Sequence, residues 1–114
     1  MLVYILVPEP INVKTSDIKE SRALVSWTIP SSPLKLQNIE LELNKTDGSS
    51  SVIMDVKPDV NSKLLTDLVS GTPYSARLRS IAADGRTSDW SSPAHVFITG
   101  EITCNVFAVG CYLF

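Results

Sequence analysis

The chain has 114 residues, 44% of them hydrophobic and 19% charged, with a formal net charge of −2. That length supports one domain around one core, because two cores would each bury too little surface to be stable. Acids and bases are interspersed rather than gathered into a basic stripe, which excludes a surface built to neutralise a phosphate backbone, so no nucleic acid is expected as a partner.

In chain order, the apolar run Leu2–Val7 has no basic residue before it and no small-residue cleavage site, so residues 1–7 read as a linker or an edge strand rather than a leader. Val7-Pro8-Glu9-Pro10 is a stiff extended approach, since each proline fixes its own φ and biases the residue before it toward extended geometry. From there to Gly100 the sequence breaks into short alternating or β-branched segments punctuated by Pro, Gly, Ser and Asn, and no stretch carries a helical period.

A first strand is expected around Ile11 to Lys14. A second covers Ala23 to Thr28, with Ala23, Val25 and Trp27 on one face, and Pro30-Ser31-Ser32-Pro33 ends it. The third has the clearest alternation in the chain: Ile39, Leu41 and Leu43 point one way, Glu40, Glu42 and Asn44 the other, so one face is core and the other wet. Asp47-Gly48-Ser49-Ser50 is a turn, after which Ser51 to Val56 returns as a partner strand. A short strand is expected at Lys63 to Leu65, and a longer one at Tyr74 to Ala82 with Tyr74, Ala76, Leu78 and Ser80 inward and Ser75, Arg77, Arg79 and Ile81 outward. Beyond the loop Ala83 to Ser92, residues Ala94 to Thr99 form the last strand. Its register is open, because Val96 and Ile98 form one candidate inward set and His95, Phe97 and Thr99 the other.

Residues 101–114 read as an apolar tail, the truncated start of a following segment. The run Ile102 to Phe114 is shorter than the roughly 20 residues of a membrane span and contains Asn105. Both cysteines, Cys104 and Cys111, lie in this tail, so the body of the chain rests on apolar packing alone. The two are open to three readings: pairing with each other across a short loop, belonging to a following segment, or having no role in a tail without function. Both ends look like boundaries within a larger protein, which leaves a membrane-anchored parent open.

Val25-Ser26-Trp27, then Leu68 followed six residues later by Tyr74 in Leu68-Val69-Ser70-Gly71-Thr72-Pro73-Tyr74, then alternating Ala76, Leu78 and Ser80, resemble fibronectin type III domains. The resemblance covers residues 8–100. It implies an all-β, seven-stranded immunoglobulin-like sandwich with Val25, Trp27, Ile39, Leu41, Leu68, Tyr74 and Leu78 in its core, and a Tyr74 hydroxyl that seals a corner by bonding back to the main chain. Two positions depart from the pattern: Ser70 stands where a proline is usual and Ile39 where an aromatic is usual, which implies slightly looser packing.

Thr87-Ser88-Asp89-Trp90-Ser91 looks like the second half of the Trp-Ser-x-Trp-Ser box of class I cytokine receptors, with Thr87 in place of the first Trp. That resemblance implies stacking of Trp90 with Arg77 and Arg79, although one Trp cannot build the full ladder.

As candidate catalysts, Glu40 and Glu42 are alternate residues on a flat wet face, expected to pair with Arg77 and Arg79. His95 is the only histidine and has no second ligand nearby to share a metal. Asn44-Lys45-Thr46 is an N-glycosylation acceptor triplet. Asp84-Gly85-Arg86 is the reverse of an integrin-binding tripeptide and ordinary turn chemistry.

The expectation is therefore a non-enzymatic protein-binding or spacer module of an extracellular or cell-surface multi-domain receptor or adhesion protein. It needs no cofactor, is monomeric in isolation, and has Arg77, Arg79, Arg86 and Trp90 as stacking or interface candidates and Asn44 as a glycosylation candidate. The alternatives are a spacer beside an enzyme or in a cytoplasmic assembly, and a cytokine-receptor-type ligand-binding domain.

Overall fold

The structure is a computed structural model, which describes residues 5–92 and 95–100 together with the backbone of 102–104 and 111–113. The described strands are β1 (Ile11–Ser16), β2 (Ala23–Thr28), β3 (Leu36–Lys45), β4 (Ser51–Val56), β5 (Ser62–Leu65), β6 (Pro73–Ala82) and β7 (His95–Ile98), with β8 (Ile102–Cys104) and β9 (Cys111–Leu113) in the tail. One sheet has the order β1-β2-β5, the second β4-β3-β6-β7, and β8 pairs with β9. Every pairing is antiparallel. The all-β, seven-stranded sandwich that the resemblance implied is the architecture observed.

The inward residues are those that the period of two selects. Ala23, Val25 and Trp27 of β2, Ile39, Leu41 and Leu43 of β3, and Tyr74, Ala76 and Leu78 of β6 are all buried and share one core with Leu65, Leu68 and Phe97. Ile39, the position where an aromatic is usual, is fully buried. The outward partners on β3 and β6 are half-buried, as expected where long polar side chains cover one another on an exposed sheet face.

β1 continues past the expected Lys14 to Ser16, and its register with β2 shifts between Ile11 and Lys14. At that irregularity Asn12 adopts φ 55°, a left-handed conformation that asparagine tolerates better than most residues. Residues Ile5 to Pro10 form no strand; Met1 to Tyr4, the rest of the segment read as a linker or an edge strand, lie outside the described residues, as does Ala94, the expected start of the last strand.

Pairing of Tyr74 with Phe97 decides the open register of β7. Phe97 and Thr99 are buried and His95 is half-buried, whereas Val96 is 61% exposed. The inward set is thus the one headed by Phe97, whose ring stacks on Tyr74 at 5.8 Å between centroids. The polar member of the set is not stranded, because Thr99 Oγ1 donates to the Val69 carbonyl at 3.3 Å.

Candidate functional site on the outer face of the four-stranded sheet

Antiparallel pairing of β3 with β6 sets Glu40 opposite Arg79 and Glu42 opposite Arg77. The second pair is bidentate: Arg77 Nε donates to Glu42 Oε1 at 2.9 Å and Nη2 to Oε2 at 3.1 Å. The first is looser, with Arg79 Nη2 at 3.4 Å from both Glu40 oxygens. Hydrogen bonding from Arg77 holds the Glu42 carboxyl below its ordinary range; burial opposes this and a bond from Asn44 adds to it. Both carboxylates are thus tied to arginines on a sheet face, the salt-bridge lattice expected from the sequence.

Trp90 lies on the same lattice. Arg77 Cζ is 4.3 Å and Arg79 Cζ 4.5 Å from the indole centroid, so one Trp engages both guanidiniums and a short stacked ladder forms without a second indole. Each cation over the ring is attracted by its negative face, and each guanidinium is also bonded to a glutamate across the ladder.

What aims the indole there is the main chain of the loop between β6 and β7. β7 pairs with β6 only along Pro73 to Ala76, which leaves the edge of β6 from Leu78 onward without a regular partner strand. Two serines fill it. Ser91 N–H donates to the Leu78 carbonyl at 2.7 Å, and Leu78 N–H donates to Ser91 Oγ at 2.9 Å. Ser88 N–H donates to the Ser80 carbonyl at 2.9 Å, and Ser80 N–H donates to Ser88 Oγ, also at 2.9 Å. Both serines are buried. The expectation centred on Trp90 missed this clamp; the signal for it was the spacing of two hydroxyl residues on either side of Asp89-Trp90.

The turn that opens this loop is closed on itself. Asp84 Oδ1 accepts from Arg86 N–H at 3.0 Å and Oδ2 from Arg86 Nε at 2.9 Å, while Gly85 takes φ 91°, which a side chain would strain. The Arg86 N–H bond, followed by the guanidinium, holds the Asp84 carboxyl below its usual range. Arg86 Nη1 also donates to the Ile5 carbonyl at 2.9 Å. Arg86, expected as an exposed interface residue, therefore ties the N-terminal approach to this loop.

At the opposite corner Val69 N–H donates to the Tyr74 hydroxyl at 2.8 Å, the seal that the resemblance to fibronectin type III domains implied. His95 Nε2 lies 3.0 Å from Thr15 Oγ1 and bridges the two sheets as a structural residue. Among the described residues no cluster of three His, Cys, Asp or Glu side chains is placed to hold a metal. Asn44 is half-buried on the outer face, its Nδ2 donating to Glu42 Oε1 at 2.6 Å, so the acceptor triplet adjoins the salt-bridge lattice.

Comparison with known proteins agrees with this geometry. No curated protein matches the chain. Among solved structures, a segment of two fibronectin type III domains from chicken tenascin superposes with a TM-score of 0.73 at 24% identity, covering 82% of this chain and 51% of that one. The fibronectin type III domain of human collagen XX gives 0.69 at 20%, covering 87% and 98%. Domains A168–A170 of titin give 0.71 at 24%, covering 84% and 33%. At such identities these likenesses speak for the fold alone. The family model for the fibronectin type III domain matches residues 8–97. Because that match runs from the proline approach to the inward phenylalanine of β7, the chain belongs to the fibronectin type III domain family.

Proposed function

We propose that the chain is a non-catalytic protein-binding or spacer module of an extracellular, multi-domain receptor or adhesion protein. The observation that carries this reading is the occupation of its reactive side chains. Glu40, Glu42, Arg77, Arg79 and Trp90 engage one another, and the Ser88 and Ser91 hydroxyls are held by β6. The polar chemistry of this face stiffens a surface instead of activating a nucleophile or a water, so the module acts through shape and surface complementarity, with the loops at the ends of the sandwich as contact points. Multi-domain neighbours such as the tenascin segment support a place in an array. The outward Asn44 triplet supports an extracellular address.

The test is secretion of the chain from mammalian cells behind an exchangeable leader, with peptide mapping of Asn44 and titration of a multimerised form onto intact cells. Folded, secreted protein with glycan on Asn44 and saturable binding competed by the monomer is expected. Intracellular retention of the chain, or unmodified Asn44 in secreted protein together with no saturable binding, overturns the reading.

A cytokine-receptor-type ligand-binding domain is the second reading, favoured by the stacking of Trp90 on both arginines. It requires a Trp90 variant to lose ligand binding through a changed loop shape. The third is a structural spacer beside an enzyme or within a cytoplasmic assembly, and the likeness to part of a multi-domain segment of titin supports its spacer role.

A further inference from the structure

The two cysteines of the chain are set directly opposite one another by the backbone register of the tail hairpin, in which Ile102 pairs with Leu113, Thr103 with Tyr112 and Cys104 with Cys111. Directly opposed residues of an antiparallel ladder have Cα atoms about 4.5 to 5.5 Å apart, and a disulfide accepts Cα separations of about 4.4 to 6.8 Å. Opposed residues also share one face of the ladder, whereas the next residue along either strand belongs to the other face. Register therefore selects this pair more sharply than closeness in sequence does.

From this juxtaposition we infer that Cys104 and Cys111 are a site of oxidative modification, forming an intrachain disulfide across the β8–β9 ladder. The inference is independent of the binding role proposed above. A two-stranded hairpin is marginal in water by itself, and closing its loop covalently removes open conformations from the unfolded ensemble, so oxidation and strand pairing support each other. The sandwich core is built from residues between Ala23 and Phe97 and contains no cysteine, so the state of the tail leaves the domain fold intact.

The oxidant is a disulfide, such as glutathione disulfide. One cysteine thiolate attacks it, forming a mixed disulfide and releasing one glutathione thiolate. The second cysteine thiolate then displaces the other glutathione as the Cys104–Cys111 bond forms. Two protein thiols thus lose two protons and two electrons, and one glutathione disulfide becomes two glutathione thiols.

The test equilibrates the full chain in a glutathione redox buffer, quenches with N-ethylmaleimide and reads intact mass and linked peptides. The expected product is a monomer without adduct, lighter by two hydrogens, whose digest contains Cys104 linked to Cys111. As a register control, Cys111→Ser combined with Tyr112→Cys moves the second thiol to the other face and is expected to lower the closure equilibrium constant at least about tenfold. Double alkylation, glutathione adducts at both positions, a disulfide-linked dimer, or equal closure by the register control would each overturn the inference. Equal melting temperatures for the oxidised chain and the double variant Cys104→Ser, Cys111→Ser are expected, and keep a failure of pairing distinct from a failure to fold.

Discussion

Ser91 satisfies both main-chain groups of Leu78: its N–H donates to the Leu78 carbonyl at 2.7 Å and its Oγ accepts the Leu78 N–H at 2.9 Å. Leu78 is fully buried, so water is a poor substitute for the lost hydroxyl. Ser91→Ala leaves a buried N–H without an acceptor and is expected to cost about 1–3 kcal/mol. Ser91→Thr keeps the oxygen and should cost less. Urea unfolding checks the order, and equal midpoints for wild type and Ser91→Ala would remove the clamp from the account.

Trp90→Ala removes the ring from both guanidiniums and is expected to destabilise the domain by about 1–3 kcal/mol, seen as a lower melting temperature. Trp90→Phe retains a smaller aromatic face and should fall between. An unchanged melting temperature in Trp90→Ala would show that the stacking contributes nothing to stability and would return the indole to the role of an interface residue.

The Glu42 carboxyl is held below its ordinary value of 4.5, chiefly by its bond to Arg77. In the unfolded chain it takes up a proton at higher pH than in the folded one. Its contribution is therefore complete above about pH 4.5 and is lost as the pH falls through the folded value. Asp47, bonded to Ser49, and Asp84, bonded to Arg86, are lowered in the same sense, so the wild-type slope has several sources. Glu42→Gln isolates one of them. Its stability should depend less steeply on pH below 4.5, and parallel curves for the two proteins would contradict the assignment.

Tyr74→Phe deletes the acceptor of the Val69 N–H while leaving the stacked ring on Phe97. Val69 is 51% exposed, so water can replace the lost acceptor; the expected loss is about 0.5–1.5 kcal/mol, and hydrogen exchange of the Val69 amide should accelerate more than that of core amides in β3. Uniform acceleration would indicate a global effect without a local seal.

Trp27 presents the converse case. Trp27 is 3% exposed, but its Nε1 finds no hydrogen-bond partner among the described residues. Trp27→Phe forfeits no such bond and should cost well below the roughly 3–5 kcal/mol expected for Trp27→Ala. Comparable losses in denaturant titrations would mean that the N–H matters after all.

Much of the fold was legible because its signals were local. Ile39, Leu41 and Leu43 alternate with Glu40, Glu42 and Asn44, and that pattern alone separates the two faces of β3. Leu68 and Tyr74 carried, by their spacing, the resemblance that implied the sealed corner. β7 was illegible for the same reason: Val96 and Ile98 are as apolar as Phe97, so either face satisfied the pattern, and only the pairing of Phe97 with Tyr74 distinguished them.

The candidate site divides along that line too. Arg77 and Arg79 were identifiable as outward residues of one strand, and Trp90 as their neighbour by resemblance. The serine clamp and the tie from Arg86 to the Ile5 carbonyl were not foreseen, because they depend on where an irregular loop meets a strand edge and a chain end far away in sequence.

By itself, the sequence determined which residues could face a core, where the chain had to turn, and that no cysteine could hold the sandwich together. Alternation, turn residues and cysteine positions are properties of short segments, readable without knowing what lies alongside. Tertiary structure decided the inward face of β7, the use of Ser88 and Ser91 as an edge for β6, and the engagement of one indole by two arginines. Those outcomes depend on backbone groups that become neighbours only after the sheets assemble, when every buried N–H and carbonyl must find a partner from whichever segment arrives beside it.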